Sequence, residues 1–272
     1  KYMNEIVVKA PAKLNLHLQV TAKRHDGFHD LRTIFTFINL YDQLTFEVNK
    51  EKIELKELNP IKDNLVLKAA YLLREKSNCK KGVKISLQKH IPLQKGLGGG
   101  SSDAAATLVA LNKLWNLGLT QAELQDMSLE LGSDVPFFIF GQGAWAEGRG
   151  EKLSKIDFYE QWHLLFMPKT QISTKAAFEA LSPIFSKPYT YKEYSSIGGF
   201  NSFEKWARNS YEEVDQIFSK LKNIGIPMLS GTGSSIFVSF ASLEEATAAN
   251  QKFPDGVIVK SLERSPLMQI IE

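Results

Sequence analysis

The alternation of apolar and polar residues near the N-terminus predicts the first element of the chain. Apolar residues occupy every second position from Leu14 to Val20, and Lys13 and Asn15 lie together on the opposite, polar face. A period of two residues is typical of a strand with one buried face. Similar apolar patterns predict further strands at Leu44–Val48, Val83–Gln88, Phe137–Phe140, Trp162–Met167, Ile236–Phe240 and Gly256–Lys260. The glycine-punctuated stretch at 144–153 is predicted to be a hairpin.

Helical spacing of apolar residues and capping sequences predict the helices. In the stretch Asn64–Glu75, Leu67, Ala70 and Tyr71 fall on one face. The sequences TQAE and SLEE have the pattern that caps a helix N-terminus. The predicted helices are Asn64–Glu75, Ser102–Asn116, one from Thr120 to Gly132, Ser173–Leu181, Asn201–Asn223 and one from Ser242; Pro183–Gly199 is predicted to be an irregular loop.

The order of these elements indicates the class of fold. Strands and helices alternate without the even strand–helix rhythm of a parallel sheet, so we expect an α+β protein with two lobes. The pattern of elements restarts after about residue 150. We therefore divide the chain into an N-terminal lobe of residues 1–150 and a C-terminal lobe of residues 151–272.

Composition narrows the range of partners. The 272 residues carry a formal net charge of +3, so we expect no strong attraction for nucleic acid or membranes. The longest apolar run, Val135–Phe140, is too short to span a bilayer, and the N-terminal stretch has no signal-peptide pattern. The single cysteine, Cys79, fits a reducing compartment. We therefore expect a cytoplasmic protein.

The segment KGLGGGSSDAAA, from Lys95 to Ala106, carries the strongest chemical signal in the sequence. It follows a predicted strand and leads directly into a predicted helix. Glycine lets backbone N–H groups approach a ligand closely, and the first turn of a helix leaves N–H groups unpaired. Ser101 and Ser102 add hydroxyl donors. Together these features predict a site for an anion, and phosphate is the usual occupant.

Three common types of nucleotide-binding loop do not match this segment. The Walker loop requires a lysine after its last glycine, whereas Gly100 is followed by Ser101 and Ser102. The dinucleotide-binding pattern has its third glycine where this chain has Ser101. The HRD and DFG sequences of protein kinases are missing. A glycine-rich turn without a ligand remains an alternative.

Two residues are candidates for the chemistry. Asp134 follows a predicted helix end, where a short carboxylate can point into a cleft, but an Asx turn before Pro136 explains it equally well. Lys13 shares a strand face with Asn15, and from composition alone a solvent-facing lysine is the simpler interpretation. No spacing of His, Cys, Asp or Glu indicates a structural metal.

Six segments, in order along the chain, resemble motifs of the GHMP small-molecule kinases. They are Ala10–Leu18, Arg24–Thr33, Lys62–Ala70, Pro92–Ala106, Leu131–Gly141 and Ser230–Phe240. The sequence GLGGGSS is similar to the branch that phosphorylates the 2-hydroxyl of a cytidine diphosphate-linked methylerythritol in non-mevalonate isoprenoid synthesis. The resemblance implies an N-terminal lobe like ribosomal S5 domain 2, a ferredoxin-like C-terminal lobe and a substrate cleft between them.

The same resemblance implies roles for particular residues. Asp134 would be the general base and Lys13 its partner, while the small-molecule substrate would contact Asn15, Phe28, His29, Phe178, Gly231 and Thr232. Phe28 and Phe178 would stack on the two faces of cytosine, and His29 would read its edge. ATP, with Mg²⁺, would contact Asn64, Leu65, Pro92, Leu93, Gln94, Lys95, Gly96, Leu97, Gly98, Gly99, Gly100, Ser101 and Ser102, and Ser102 would reach the Mg²⁺.

The chain departs from the family pattern in two places. Phe28 stands where the family usually has tyrosine, which preserves stacking but removes a hydroxyl contact. Gln94 and Lys95 stand where the family mostly has small residues, so the Lys95 side chain would either contact the phosphates or point into water. Phe178 as a core residue and Asn64 as a helix cap are equally good interpretations.

Three other functions are open alternatives. The first is a GHMP kinase for homoserine or mevalonate, against which the Asp-Gly-Phe-His sequence argues. The second is a ligand sensor of the same fold that has lost catalysis, against which Lys13 and Asp134 argue. The third is a Rossmann-like dehydrogenase, which the missing third glycine disfavours.

Overall fold

The computed structural model describes residues 4–181 and 187–272. The strands in these ranges are β1 (Glu5–Lys23), β2 (His29–Asn49), β3 (Ile53–Glu57), β4 (Gly82–Gln88), β5 (Ala144–Gly148), β6 (Lys152–Lys155), β7 (Trp162–Phe166), β8 (Met228–Leu229), β9 (Ile236–Phe240) and β10 (Val257–Leu262). The helices are α1 (Leu65–Lys76), α2 (Gly99–Leu114), α3 (Gln121–Ser128), α4 (Val135–Phe140), α5 (Thr174–Ala180), α6 (Tyr191–Ile197), α7 (Glu204–Ser210), α8 (Glu212–Leu221), α9 (Leu243–Lys252) and α10 (Met268–Ile271). Within the same two ranges, no helix has the length and apolar character needed to cross a bilayer.

The long strand β2 organises the sheet. It pairs antiparallel with β1 along nearly its whole length. On its other edge it pairs in turn with β5 at 31–35, with β10 at 37–38 and with β4 at 43–49. From β10 the sheet continues through β7 and β9 to β8, while β3 runs parallel to β4 at the far end. One strand therefore connects the parts of the chain on either side of residue 150.

Helices α1 and α2 pack together against β1 and β2 to form the larger core. Helix α2 presents small side chains to its neighbours, and Ala104–Ala106 are fully buried. Alanine favours helix formation, and its small side chain lets a helix lie close to a sheet. Aromatic rings fill the remaining volume, because Phe137 stacks on Phe35 and Phe37 with ring centroids 4.6 and 4.3 Å apart.

A second core lies in the C-terminal part, where α7, α8 and α9 pack on β7 and β9. Leu18 of β1 belongs to this second core, although it lies in the N-terminal part of the chain. A third cluster contains Leu14 and Ile38 together with Leu165 and Phe237, so it draws on both parts. The two halves of the molecule therefore share buried apolar surface.

The predicted division near residue 150 falls inside a hairpin. Strands β5 and β6 pair antiparallel, with Glu147 opposite Lys152. The first sheet region thus reaches past residue 150 to Lys155. The division into lobes of residues 1–150 and 151–272 stays a prediction.

The predicted strand at 14–20 is confirmed, but its expected exposed polar face is wrong. Lys13 and Asn15 are buried. Residues 200–202 pair with the free edge of β1: the Leu18 N–H donates to the Phe200 carbonyl at 2.7 Å, and the Ser202 N–H donates to the Leu18 carbonyl at 2.9 Å. Lys13 and Asn15 line an internal cleft rather than the outer surface.

The predicted strand at Phe137–Phe140 is wrong, because this segment is the short helix α4. Pro136 lies in the first turn of α4, where its fixed φ suits a helix start, and Gly141 ends the helix with a φ of 77°. The side chains of 137–139 are buried on all sides. A short run of apolar residues without alternation fits either element, so the sequence pattern alone did not separate them.

Two helix predictions and one loop prediction also need correction. The predicted helix Asn201–Asn223 is two helices, α7 and α8, separated by an extended Tyr211 with φ −134° and ψ 104°. The predicted loop Pro183–Gly199 contains α6, which a capping box at Thr190 begins, and its residues 183–186 lie outside the described residues. In the helix at 64–75 the expected apolar face is rotated, since Tyr71 is exposed.

Candidate active site

A cavity of about 570 Å³ lies where β1, the start of α2 and the loop before β9 meet. It collects most of the predicted site residues, namely Lys13, Asn15, Leu65, Pro92, Leu93, Gln94, Lys95, Gly96, Leu97, Gly98, Gly99, Gly100, Ser101, Asp134, Phe178, Gly231 and Thr232. The sequence analysis missed several other residues that line it, including Leu31, Phe35, Gln171, Thr174 and Phe203. These lie in separate segments, and no local pattern marks them as neighbours.

Two glycines of the loop are required by the fold itself. Gly96 and Gly98 both have a φ of 71°, in the region that favours glycine. A Cβ at Gly96 would lie 2.0 Å from the Ser230 carbonyl oxygen, and one at Gly98 would lie 2.7 Å from the Phe138 ring. At Gly100 a Cβ would meet only a Leu65 methyl group at 3.8 Å. The protein leaves the space beside Gly100 open towards the cavity.

The loop carbonyls are held by neighbouring segments. The Lys95 carbonyl accepts from the Ser235 N–H at 3.2 Å, and the Gly96 carbonyl accepts from the Ser230 hydroxyl at 2.9 Å. The Leu97 carbonyl accepts from the Lys13 N–H at 2.9 Å. Helix α2 begins directly after Gly98, and the N–H groups of its first turn have no partner within the helix. The arrangement favours an anion at this helix terminus.

Lys13 and Asp134 meet in the cavity. The Lys13 Nζ lies 3.6 Å from the Asp134 Oδ2, and the side chains are 3% and 35% exposed, respectively. The Lys13 ammonium also donates to the Asn15 Oδ1, and the Asn15 Nδ2 donates to the Thr33 Oγ1 at 2.8 Å. Burial lowers the pKa of Lys13, and the Asp134 carboxylate opposes that shift. A buried ammonium thus faces a carboxylate that water and ligands can reach.

Asp134 does not act as a helix cap. It precedes α4, yet its carboxylate makes no capping hydrogen bond to the first turn. The alternative of an Asx turn before Pro136 required the carboxylate to bond to nearby backbone N–H groups. The carboxylate instead faces Lys13, which leaves its remaining lone pairs for a ligand.

Ser102 and Asn64 lie outside the cavity. Helix α2 starts at Gly99, three residues before the predicted start, so Ser102 lies within the helix and its hydroxyl is buried without a partner among the described residues. Ser101 lines the cavity instead. Asn64 caps α1, since its Oδ1 accepts from the Val66 N–H at 2.9 Å and its Nδ2 donates to Glu57 at 2.8 Å.

The predicted cytosine-binding residues line an adjoining cavity of about 710 Å³. Asp134 and Phe178 line both cavities, so the two are continuous. The His29 ring lies against Phe178 with centroids 4.8 Å apart, and the Arg149 guanidinium lies 3.5 Å from the centre of the half-exposed Phe28 ring. The sequence analysis missed Arg149, although its position between two glycines of a hairpin tip was visible.

A buried ion cluster lies beneath the start of α2, and the sequence analysis missed it as well. The Lys89 ammonium donates to Asp42 and, at 2.7 Å, to the Asp103 Oδ2. Asp42 also accepts the backbone N–H groups of His90 and Ile91, which fixes the segment before the glycine loop. Burial raises the pKa of Asp103 to about 7, with Lys89 opposing and Asp42 adding to the shift.

Comparison with known proteins identifies relatives of this chain. The family model described as the GHMP kinases N terminal domain matches residues 64–142. The chain is 41% identical to the 4-diphosphocytidyl-2-C-methyl-D-erythritol kinase of Nitrosococcus oceani, covering 97% of each sequence. It is 38% identical to the enzyme of the same name from Burkholderia multivorans, covering 95% of this chain and 94% of the relative.

Solved structures give a matching result. A crystal structure of 4-(cytidine 5'-diphospho)-2C-methyl-D-erythritol kinase superposes with a TM-score of 0.79 at 32% identity, covering 94% of this chain and 98% of that one. A mevalonate kinase superposes with a TM-score of 0.71 at 15% identity, covering 96% of this chain and 100% of the other. At that identity the second match concerns the fold alone.

Proposed function

Because the chain belongs to the 4-diphosphocytidyl-2-C-methyl-D-erythritol kinase family of GHMP kinases, we propose that it phosphorylates the 2-hydroxyl of 4-diphosphocytidyl-2-C-methyl-D-erythritol with ATP. The protein is a small-molecule kinase with the two-lobed α+β fold of the GHMP kinases. One observation carries the assignment of its site. The Lys13–Asp134 pair and the N-terminus of α2 face the same cavity.

Asp134 is the proposed general base. The substrate hydroxyl oxygen forms a bond to the terminal phosphorus, the bond from that phosphorus to the leaving ADP oxygen breaks, and the hydroxyl proton passes to Asp134. The Lys13 ammonium lies 3.6 Å from the Asp134 Oδ2, where it orients the carboxylate and stabilises negative charge on the attacking oxygen. Asn15 and Thr33 hold the ammonium in place. Phosphoryl transfer depends mainly on such positioning and on charge stabilisation.

The first turn of α2 and the run Pro92–Ser101 form the proposed site for the ATP phosphates, and Leu65 borders it. Mg²⁺ bound together with ATP would neutralise phosphate charge. The residues that the structure describes contain no cluster of three or more His, Cys, Asp or Glu side chains that could hold a metal by itself. Phosphate oxygens with one or two protein oxygens suit Mg²⁺, and the Ser101 hydroxyl and the Asp134 carboxylate are among the protein oxygens that line the cavity.

The adjoining cavity is the proposed site of the cytidine group. Phe28 and Phe178 offer aromatic faces, and His29 offers hydrogen-bonding groups beside them. In the structure Arg149 covers Phe28 and His29 covers Phe178. We propose that the base displaces these two contacts and takes their place. Gly231 and Thr232 border the main cavity where the methylerythritol group would lie.

Measurement of ADP release tests the assignment. Purified protein with Mg²⁺ and ATP is assayed with 4-diphosphocytidyl-2-C-methyl-D-erythritol, homoserine, mevalonate and galactose as separate acceptors. We expect turnover with the first acceptor alone. Turnover with another alcohol would keep the kinase and contradict the cytidine site. ATP binding without turnover on any acceptor would indicate a ligand sensor.

A further inference from the structure

The side chain of Lys95 lies neither beside the predicted phosphate site nor in water, which were its two predicted positions. It is 6% exposed, and its ammonium lies among oxygen atoms of the C-terminal half. These are the carbonyls of Pro168, Lys169 and Thr170, with the last two at 3.2 and 2.5 Å, and the Ser234 hydroxyl at 3.4 Å. An ammonium has three N–H donors, so four surrounding oxygens resemble the coordination of a cation more than a set of directional hydrogen bonds.

The oxygens around Lys95 are fixed by other groups. On the far side of the turn 168–170, the Glu213 carboxylate accepts the N–H groups of Lys169 and Thr170 at 2.9 and 2.8 Å, and it also accepts the Thr170 hydroxyl. The Ser234 hydroxyl donates its hydrogen to the Thr170 carbonyl, so its lone pairs remain for the ammonium. The N–H groups of this turn therefore point to Glu213, and its carbonyl groups point to Lys95. We expect these carbonyls to keep their direction when the lysine side chain is removed, because the Glu213 contacts remain.

Lys95 connects this turn to the glycine loop. Its own carbonyl accepts from Ser235, and the next residue is Gly96, whose position allows no side chain. The ammonium therefore holds the loop against the C-terminal half from inside the protein. Burial lowers the pKa of Lys95, and Glu213 opposes that shift.

We propose that the carbonyls of 168–170 and the Ser234 hydroxyl form a site for a monovalent cation, which the Lys95 ammonium fills in place of a free ion. Carbonyl oxygens are the ligands that coordinate K⁺ in proteins, and an ammonium ion has similar needs. Lys95 acts on the ATP site as a positioning residue, since its charged end lies away from the loop. Without the lysine side chain, K⁺ or NH₄⁺ binds in the space it leaves.

The test compares Lys95→Ala with Lys95→Met. Melting temperatures are measured in KCl, NH₄Cl and tetramethylammonium chloride at a constant ionic strength of about 0.1 M. In tetramethylammonium we expect both variants to melt roughly 10 °C below the wild type, because buried carbonyls lose their charged partner. K⁺ and NH₄⁺ restore at least half of the loss in Lys95→Ala. They restore none in Lys95→Met, because its side chain fills the space.

Two further variants complete the design. Lys169→Ala removes a lysine from the same turn but keeps its carbonyl, and it behaves as the wild type in every salt. Ser234→Ala keeps Lys95 and removes one oxygen ligand, so it melts about 3 °C lower without any response to the salt. These melting measurements do not depend on the proposed reaction. A second readout does depend on the proposed reaction. The KM of Lys95→Ala for ATP is higher than that of the wild type, and it falls when K⁺ is added.

Several results would overturn the proposal. Equal melting of Lys95→Ala in all three salts means that the oxygens do not select a cation. Failure of Lys95→Ala to fold even in K⁺ would also mean that the oxygens do not bind the free ion. An unchanged melting temperature in Ser234→Ala would show that its hydroxyl is not part of the site. If salt changes the melting temperature but no turnover is found with any acceptor, the cation site stands and the proposed function fails.

Discussion

At the scale of single residues, the proposed general base Asp134 has few structural duties. Its carboxylate caps no helix and is partly exposed, and the Lys13 ammonium that it faces keeps its hydrogen bond to Asn15 when the carboxylate is replaced by an amide. We predict that Asp134→Asn lowers kcat by about 10²–10⁴-fold while the melting temperature stays near that of the wild type. Steady-state kinetics and a melting curve check both parts. Asp126→Asn, on the exposed side of α3, is the matched control, and near-normal turnover in Asp134→Asn would exclude the general base.

Two buried histidines make the fold sensitive to acid. His163 is held between the Ser239 and Ser261 hydroxyls at 2.9 Å each, and burial lowers its pKa from 6.5 to about 4. Burial lowers the pKa of His17 to about 4 as well. Below pH 6.5 these histidines are therefore protonated in the unfolded chain but neutral in the folded protein. As the pH falls from 6.5 to about 4, each histidine lowers the free energy of unfolding by about 1.4 kcal/mol per pH unit.

This predicts the effect of a substitution at His163. Between pH 6.5 and 4.5, the free energy of unfolding of His163→Gln falls less steeply than that of the wild type, by about 1.4 kcal/mol per pH unit. Urea unfolding at several pH values measures the slope. His25→Gln, which replaces an exposed histidine, is the matched control. An unchanged slope in His163→Gln would show that His163 is protonated in the folded state.

Residue patterns predicted little of the site by themselves. The positions of Lys13 and Asp134 followed from resemblance, because composition favoured an exposed lysine and a turn aspartate. The course of the Lys95 side chain was predicted wrongly, because its partners at 168–170 and 234 are brought to it only by the folded C-terminal half. Long-range contacts of this kind leave no local signal in a sequence.

At the scale of elements, two glycines where the glycine loop meets α2 serve different purposes: Gly98 is needed for the fold, and Gly100 leaves space beside the cavity. Gly98 is needed by the fold, since a Cβ would meet Phe138 and Lys13 at a positive φ. Gly98→Ala therefore costs about 1–3 kcal/mol of stability and lowers activity by shifting Lys13. Urea unfolding and kcat measure the two effects, and wild-type stability in this variant would contradict the strain argument.

Gly100 is expected to behave differently. Its Cβ would meet only Leu65 at an ordinary distance, and alanine suits a helix better than glycine does. Gly100→Ala therefore keeps or slightly raises the melting temperature, while the KM for ATP rises by about tenfold, or ~1.4 kcal/mol of binding. If the KM for ATP is unchanged while the protein is folded, the ATP phosphates do not pass beside Gly100.

Elements with clear boundary signals were predicted well. Helices α1 and α3 begin at side-chain caps, and strands β4 and β9 show alternation or a preceding glycine loop. The failures fell where both faces of a segment are buried, as in α4, or where a helix restarts, as in α8. The acidic residues Glu212, Glu213 and Asp215 mark the start of α8, and that signal was available in the sequence.

At the scale of the whole molecule, the shared sheet and the shared third cluster predict one cooperative unit. The pairing of β2 with β10 and the mixed cluster around Leu14 and Phe237 cross the proposed lobe division. We predict a single calorimetric transition whose enthalpy equals the van't Hoff enthalpy. A fragment of residues 1–155 alone should not fold, because the buried polar face of β1 would lose its cover. Two separate transitions, or a stably folded fragment, would contradict this.

The pairing of β2 with β10 also determines when a working enzyme first exists during synthesis. Lys260, at β10, bonds to Asn39, which lies 221 residues earlier and is made long before it. The hairpin of β1 and β2 can form as soon as it leaves the ribosome, but residues 37–38 of β2 have no partner on that edge until β10 emerges. The sheet that joins the two halves is thus completed only after β10 has been made, and a chain stalled before β10 has Lys13 and Asp134, the proposed catalytic residues, without that pairing.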